Sequence, residues 1–126
     1  MKNLATFDIE TDGLLPELTR VWCGVVKDHD DGSVKRFTPS NIKNLTSCLG
    51  EYSTLISHNG IDFDFPALKK VFGWEYHGRK IDTLLISRLQ RPNRKLPPHA
   101  PSGMGPHSVG AWGWRLGRGK VDHEDW

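Results

Sequence analysis

The stretch FDIETDGL at residues 7–14 decides the fold that the sequence predicts. It continues a short apolar run, and we interpret the two together as a buried strand. Alternate residues of a strand point to the same face, so Asp8 and Glu10 share one face while Phe7 and Ile9 share the other. Carboxylates on one rigid strand are hard oxygen ligands of the kind that divalent cations bind. An ordinary pair of solvated acids remains the alternative unless further acids follow downstream.

The bulk properties predict one small domain, residues 1–126. The formal net charge is +2, so any basic surface that binds nucleic acid must be local. Cys23 and Cys48 lack metal-type spacing and are predicted to be buried free thiols. Neither a signal peptide nor an apolar run of membrane-spanning length is visible, so we expect a cytoplasmic location and no membrane partner.

The chain after the first strand predicts an α/β fold with the element order β-β-β-α-β followed by helices. Strands at 20–27 and 34–37 flank an acidic turn at 28–33, which we interpret as a solvated hairpin of an antiparallel meander. A helix that begins near residue 38 and stops at Gly50 leads to a fourth strand at 53–57. A strand, a helix and another strand fit a parallel crossover, so the sheet is predicted to be mixed.

A second informative segment runs from Ser57 to Leu68. Pro66 suits the first turn of a helix, which places Asp64 at the helix N-terminus. There the helix macrodipole favours the ionised carboxylate. An ordinary helix cap is the alternative for Asp64, and Asn59 equally suits a turn.

The last third of the chain predicts two helices around a loop. The first helix spans 80–89 with Asp82 as its N-cap, and the second spans 107–116, with His107 as a cap or a packed residue. The loop at 90–106 is rich in proline and glycine and is basic, so it either contacts phosphates or is a solvated connector. The basic candidates for phosphate contacts are Lys80, Arg88, Arg91, Arg94 and Lys95.

Together, these segments resemble the first two exonuclease motifs of the proofreading domains of family-A DNA polymerases, most closely those of short-tailed bacteriophages. The resemblance is carried by Asp8-Ile9-Glu10 with Leu14, by 59–64 and its flanks, by 81–84 and 87–89, and by 107–117. It runs from about residue 4 to the C-terminus. It implies a ribonuclease H-like fold and a nuclease that removes nucleotides from DNA 3′ ends during replication, in the host cytoplasm if a phage encodes it.

The resemblance also implies roles for individual residues. The metal ligands and catalytic residues would be Asp8, Glu10 and Asp64. Thr11 and Leu14 would contact the terminal nucleotide, with Asn59 and Phe63 supporting the second motif beside the substrate. The implied reaction is two-metal hydrolysis with Mg²⁺ or Mn²⁺, which suits a site made only of oxygen ligands. The expected partner is DNA with a single-stranded 3′ end.

The family's third motif, Tyr-x-x-x-Asp, is not found in the sequence. Neither Tyr52 nor Tyr76 has an aspartate four residues later, and His107 has Trp112 five residues later. We therefore expect the C-terminal part of the fold to be missing from a single, incomplete exonuclease-like domain. The acids near the C-terminus, which show no such motif, are Asp122, Glu124 and Asp125.

Three functions remain open at this point. The chain is half of a split polymerase that a second chain completes, a free-standing and weakened nuclease, or a non-catalytic module that binds DNA or a protein. Uncovered apolar surface near Trp112, Trp114 and Trp126 would favour a partner or self-association. Packing of these tryptophans in a local core is the alternative.

Overall fold

A computed structural model of the chain describes residues 1–101 and 103–118. The chain separates into two compact units, Met1–Thr83 and Leu84–Trp126. The first unit contains a five-stranded sheet, and the described part of the second contains helices. The predicted single domain over residues 1–126 stays a prediction.

The sheet of the first unit is mixed and has the order β3-β2-β1-β4-β5. Its strands are β1 (Lys2–Thr11), β2 (Val21–Asp28), β3 (Val34–Phe37), β4 (Tyr52–Ser57) and β5 (Arg79–Asp82). β1, β2 and β3 are antiparallel neighbours, which confirms the predicted meander. β4 lies parallel to β1 on its other side, and β5 lies parallel to β4. The predicted parallel crossover into β4 is therefore also confirmed.

The helices follow the predicted order with small differences. A 3₁₀ turn (Ile42–Asn44) precedes α1 (Leu45–Leu49), and a π-helical turn (Gly60–Asp64) precedes α2 (Phe65–Phe72). The second unit contributes α4 (Val109–Arg115) and most of α3 (Thr83–Gln90). Gly50 follows α1 directly, and Pro66 lies in the first turn of α2, as predicted.

The core of the first unit forms where α1 and α2 cover one face of the sheet. Ala5, Phe7 and Ile9 of β1 are buried while Asp8 and Glu10 are exposed, so the predicted alternation along this strand is confirmed. Phe7 contacts Phe65 of α2 edge-on, with ring centroids 5.3 Å apart. The other large and fully buried side chains of this core include Leu18, Leu45, Leu49, Tyr52, Leu55 and Leu68. Burial of each such side chain stabilises the fold by roughly 1.5–3 kcal/mol.

The prediction of a helix over 80–89 was wrong at its start. Residues 79–82 form β5, paired in register with 54–57, and α3 begins only at Thr83. β5 lies at the edge of the sheet, and its basic residues Arg79 and Lys80 are exposed. An edge strand of this kind has little apolar alternation, so its sequence does not distinguish it from the first turn of a helix.

The prediction of a solvated turn at 28–33 was wrong for its first residue. Asp28 is buried, and its carboxylate accepts hydrogen bonds from the hydroxyl of Tyr52 at 2.9 Å and from the backbone N–H of Asp30 at 2.7 Å. These hydrogen bonds offset the cost of burying the carboxylate. Burial, followed by the hydrogen bond to Asp28 and the charge of Asp28, raises the pKa of Tyr52 well above its usual value.

In the second unit, His107 is packed rather than free. Its Nδ1 lies 2.8 Å from the hydroxyl of Ser87, and the indole N–H of Trp112 donates to the same hydroxyl at 2.9 Å. Ser108, the next residue, caps α4 by accepting from the N–H of Ala111. Trp112 thus packs locally, whereas Trp114 is 42% exposed, and Trp126 lies outside the described residues. Of the helices in the described ranges, none is long and apolar enough to cross a membrane.

Candidate active site

Asp8 and Glu10 extend from the exposed face of β1, as predicted. Across the antiparallel pair, Asp8 lies opposite Val25 and Glu10 lies opposite Cys23. Partial burial together with the charges of Glu10 and Asp8 raises the pKa of the Cys23 thiol. Both carboxylates therefore create a negative potential over the same part of the sheet. Cys23 is only half-buried, contrary to the prediction, whereas Cys48 is buried.

A tight turn after β4 leads to Asp64, the third predicted carboxylate. Asn59 adopts a left-handed conformation with φ of 64°, which its short polar side chain tolerates. The π-helical turn Gly60–Asp64 follows directly. A Cβ added to Gly60 would lie 1.7 Å from the Oγ and 2.6 Å from the Cβ of Ser57, so only glycine fits here. The predicted role of Asn59 as a turn residue is confirmed.

Asp82 positions this turn from the end of β5. Its carboxylate accepts from the backbone N–H of Asn59 at 2.9 Å and from that of Ile61 at 3.2 Å. A charge-assisted pair of this kind fixes the geometry of the segment that leads to Asp64. The sequence prediction favoured Asp82 as the cap of its own helix over a catalytic role. No local pattern predicts that Asp82 binds the N–H groups of Asn59 and Ile61, because pairing of β4 with β5 is what brings these distant residues together.

Asp64 is the most perturbed carboxylate of the site. It is 4% exposed, and burial, with the charge of Asp8 as the second cause, raises its pKa from 3.8 to about 7. Hydrogen bonds from the backbone of Asp64 itself and of Ile9 act in the opposite direction without cancelling this effect. The predicted contribution of the helix macrodipole to Asp64 stays a prediction, and burial and the charge of Asp8 act against it. A helix macrodipole contributes about 0.3–1 kcal/mol at exposed positions, which is less than the desolvation of a buried charge.

The environment of Asp64 suits a cation. Its Oδ2 is buried and makes no hydrogen bond to any described residue. A bound cation would satisfy this oxygen and neutralise the repulsion from Asp8, so the residues present fit a divalent metal. No group of three or more His, Cys, Asp or Glu side chains within residues 1–101 and 103–118 is placed to hold an ion. The structure thus supports Asp8 and Asp64 as a pair, and the full set with Glu10 stays a prediction.

The predicted nucleotide contacts lie beside β1 and on the turn. Thr11 donates from its hydroxyl to the carbonyl oxygen of Gly13 at 2.8 Å, and Leu14 is 70% exposed. Phe63 is half-buried and packs against the core. An exposed leucine is available for packing against a base, whereas Phe63 anchors its part of the π-helical turn Gly60–Asp64 to the core. The contacts of Thr11, Leu14, Asn59 and Phe63 with a substrate stay predictions.

The loop that carries Leu14 is held in place from two sides. The carboxylate of Asp12 accepts from the N–H groups of Thr19 and Arg20 at 2.9 and 3.0 Å. Lys70 of α2 donates to the carbonyl oxygens of Leu15 and Pro16 at 2.9 and 3.0 Å. The lysine was missed by the sequence reasoning, because nothing in its helix distinguishes it from a solvated residue.

These features define the class to which the protein belongs. A family model described as the RNase H superfamily matches residues 5–96, so the chain belongs to that superfamily. Among curated relatives, the chain is 32% identical over 140 residues to the DNA-directed DNA polymerase of Enterobacteria phage T3 and 31% identical over 140 residues to that of Escherichia phage T7. Each comparison covers 94% of this chain and 20% of the relative. The predicted resemblance to phage DNA polymerases is confirmed.

Solved structures with the same fold include exonuclease I. The ExoI/SSB-Ct complex has a TM-score of 0.69 at 14% identity and covers 98% of this chain and 38% of that one. The zinc-bound E. coli ExoI–ssDNA complex has a TM-score of 0.56 at 16% identity and covers 81% of this chain and 33% of that one. At such identities the likeness shows the fold alone. The predicted α/β, ribonuclease H-like fold with a mixed sheet is confirmed.

Proposed function

We propose that the chain is a metal-dependent 3′–5′ exonuclease domain that hydrolyses phosphodiester bonds at DNA 3′ ends, as a proofreading domain does. The observation that carries the proposal is the buried carboxylate of Asp64, whose Oδ2 lacks a hydrogen-bond partner among the described residues and whose pKa Asp8 helps to raise. A buried and unsatisfied carboxylate beside a second one is costly unless a cation binds there.

Each residue of the site has a separate proposed role. Asp8, Glu10 and Asp64 would hold one or two Mg²⁺ or Mn²⁺ ions, which supply activation of water and stabilisation of the leaving oxygen when bound. Asp82 keeps the turn before Asp64 in place through the N–H groups of Asn59 and Ile61. Leu14 packs against the terminal base, and Thr11 lies beside it.

Two comparisons support DNA as the substrate. The phage relatives are DNA polymerases, and one structural neighbour is exonuclease I in complex with single-stranded DNA. The chain spans 20% of the length of those polymerases. We therefore propose, and do not observe, that the domain proofreads for a polymerase. We also propose that a second chain supplies the Tyr-x-x-x-Asp motif. A cation held by Asp8 and Asp64 would lower the pKa of Asp64 and so favour its ionised form.

A second candidate function is a module that binds DNA or a protein without hydrolysing it. One observation favours it: within the described ranges, no three potential ligands are grouped around a common point. Loss of one ligand from a two-metal site weakens the second ion and therefore the clamp on the transition state. Both candidates have the same fold, so only a measurement of nuclease activity distinguishes this module from the exonuclease.

The test is release of the terminal nucleotide from a 3′-labelled single-stranded oligonucleotide with Mg²⁺ or Mn²⁺. We expect labelled mononucleotide from the wild type, and a rate lower by about 100-fold or more for Asp8→Asn and for Asp64→Asn, because each removes several kcal/mol of metal-based stabilisation. Asp62→Asn changes an exposed carboxylate of the same turn and should retain the wild-type rate. Variants with unchanged rates would contradict the roles of Asp8 and Asp64. A wild type without release in either metal, both alone and with an added polypeptide that supplies Tyr-x-x-x-Asp, would replace the exonuclease by the binding module.

A further inference from the structure

The second unit concentrates positive charge in a chain that is nearly neutral. Between Asp82 and Asp122 the sequence has no acidic residue. The basic residues of this interval are Arg88, Arg91, Arg94, Lys95, Arg115, Arg118 and Lys120. All acidic side chains of the protein therefore lie outside an interval that holds seven of its 17 lysines and arginines.

Several of these residues surround a cavity of about 670 Å³ within the second unit. Its polar and aromatic lining consists of Arg91, Asn93, Arg94, Lys95, Trp114 and Arg115. Arg91, Asn93 and Lys95 are exposed, and Trp114 is 42% exposed. The cavity therefore offers cationic groups and an accessible aromatic ring on one surface.

Two arginines that line this cavity, Arg94 and Arg115, are held in place but have unused hydrogen-bond donors. Both guanidinium groups lie over the ring of Trp112, with Cζ-to-centroid distances of 4.7 Å for Arg94 and 4.8 Å for Arg115. Nη2 of Arg115 donates to the carbonyl oxygen of Lys95 at 2.8 Å. Nε of Arg94 and Nη1 of Arg115 are buried and have no acceptor in the part of the chain that the structure describes. Buried donors of this kind normally have a partner.

The charges of Arg94 and Arg115 also favour binding of an anion. Partial burial and, after it, the charge of Arg94 lower the pKa of Arg115. Two like charges beside one ring repel each other, and the π face only partly compensates for this. An anion with several oxygens would satisfy both unused donors and remove the repulsion, because guanidinium matches the geometry of phosphate.

We propose that this cavity binds the phosphodiester backbone of a single-stranded nucleic acid, with Arg94 and Arg115 contacting phosphate oxygens and Trp114 stacking on a base. Arg91 and Lys95 add charge at the rim. Cationic side chains interleaved with an aromatic ring are the combination by which proteins bind single strands with little sequence preference. The choice of a nucleic acid over other polyanions rests on the proposed function; the cavity itself is independent of hydrolysis.

The experiment measures binding without hydrolysis. The full chain carrying Asp8→Asn is titrated in EDTA against a fluorescent oligo-dT, and anisotropy is recorded at several salt concentrations. Arg91→Gln and Lys95→Gln, both at exposed positions, should each weaken binding severalfold and reduce the slope of log K against log salt by about 0.7, the value for one phosphate contact on a single strand. Arg118→Gln removes the same charge at an exposed position of the second unit outside the cavity lining and should retain the parent slope.

Trp114→Ala tests the stacking contact. It should weaken oligo-dT binding by about tenfold, the loss of one stacked base, while Trp114→Phe retains most of the affinity. The inference is overturned if Arg91→Gln and Lys95→Gln have the same oligo-dT affinity and the same salt slope as Arg118→Gln. It is also overturned if Trp114→Ala binds like the parent and heparin of equal charge competes as well as oligo-dT. Nuclease activity is scored separately, so a wild type that binds through this cavity but releases no nucleotide would contradict only the proposed function.

Discussion

Asp64→Asn should stabilise the metal-free protein, and the gain should grow with pH. The carboxylate of Asp64 is 4% exposed, and its pKa is raised from 3.8 to about 7, first by burial and then by the charge of Asp8. Because the folded pKa lies above the unfolded one, ionisation favours the unfolded chain. The wild type is unaffected below pH 3.8, loses stability as the pH rises to about 7, and loses no more above that value.

The expected magnitude follows from the difference between the two pKa values. One unit corresponds to about 1.4 kcal/mol, so the full effect is about 4 kcal/mol, of which about 2 kcal/mol accumulates between pH 5 and pH 7. Asparagine does not ionise, so Asp64→Asn lacks this pH-dependent loss of stability. The measurement is urea unfolding of the wild type and of Asp64→Asn in EDTA at pH 5, 6, 7 and 8. The free energy of unfolding of the variant minus that of the wild type should rise by about 3 kcal/mol over this range and level off above pH 7.

Asp62→Asn provides the matched control, because it makes the same substitution at an exposed position two residues earlier in the turn. It should produce no comparable gain. Mn²⁺ at pH 8 should stabilise the wild type and not Asp64→Asn, since binding to the folded state adds to stability by mass action. A difference between wild type and Asp64→Asn that stays constant from pH 5 to pH 8 would refute the account of Asp64.

Two further substitutions test close contacts within the first unit by urea or thermal unfolding. Tyr52→Phe removes the 2.9 Å hydrogen bond to the buried carboxylate of Asp28 and should cost about 1–3 kcal/mol; an unchanged free energy of unfolding would show that Asp28 is adequately bonded without it. Gly60→Ala places a Cβ 2.6 Å from the Cβ of Ser57 and should destabilise by about 1–3 kcal/mol. Gly105→Ala, where no described atom lies within 4 Å of the added Cβ, should be tolerated, and equal losses for both alanines would contradict the close approach.

Features with a local cause were predictable from the sequence. The alternation of buried and exposed residues along β1 follows from the period of a strand, which places Asp8 and Glu10 on one face. Pro66 and Gly50 likewise mark a helix start and a helix end by backbone restrictions that do not depend on the rest of the chain.

Features with a long-range cause were not predictable. β5 is a strand because residues 79–82 pair with 54–57, and Asp28 is buried because Tyr52 reaches it from β4. The raised pKa of Asp64 was not predictable for the same reason: the local effect of a helix N-terminus is visible in the sequence, but the desolvation and the neighbouring Asp8 that raise the pKa arise from the fold. In each case a residue far away in the sequence decides the outcome.

The central claim is that Asp8 and Asp64 form a cation site, and calorimetric titration with Mn²⁺ at pH 8 tests it most directly. Wild-type protein should bind the ion with a measurable heat, and Asp8→Asn and Asp64→Asn should each reduce the affinity by roughly tenfold or more, because each removes one anionic oxygen ligand. Asp62→Asn should bind like the wild type. Absence of Mn²⁺ binding by the wild type, or equal binding by all four proteins, would contradict the claim.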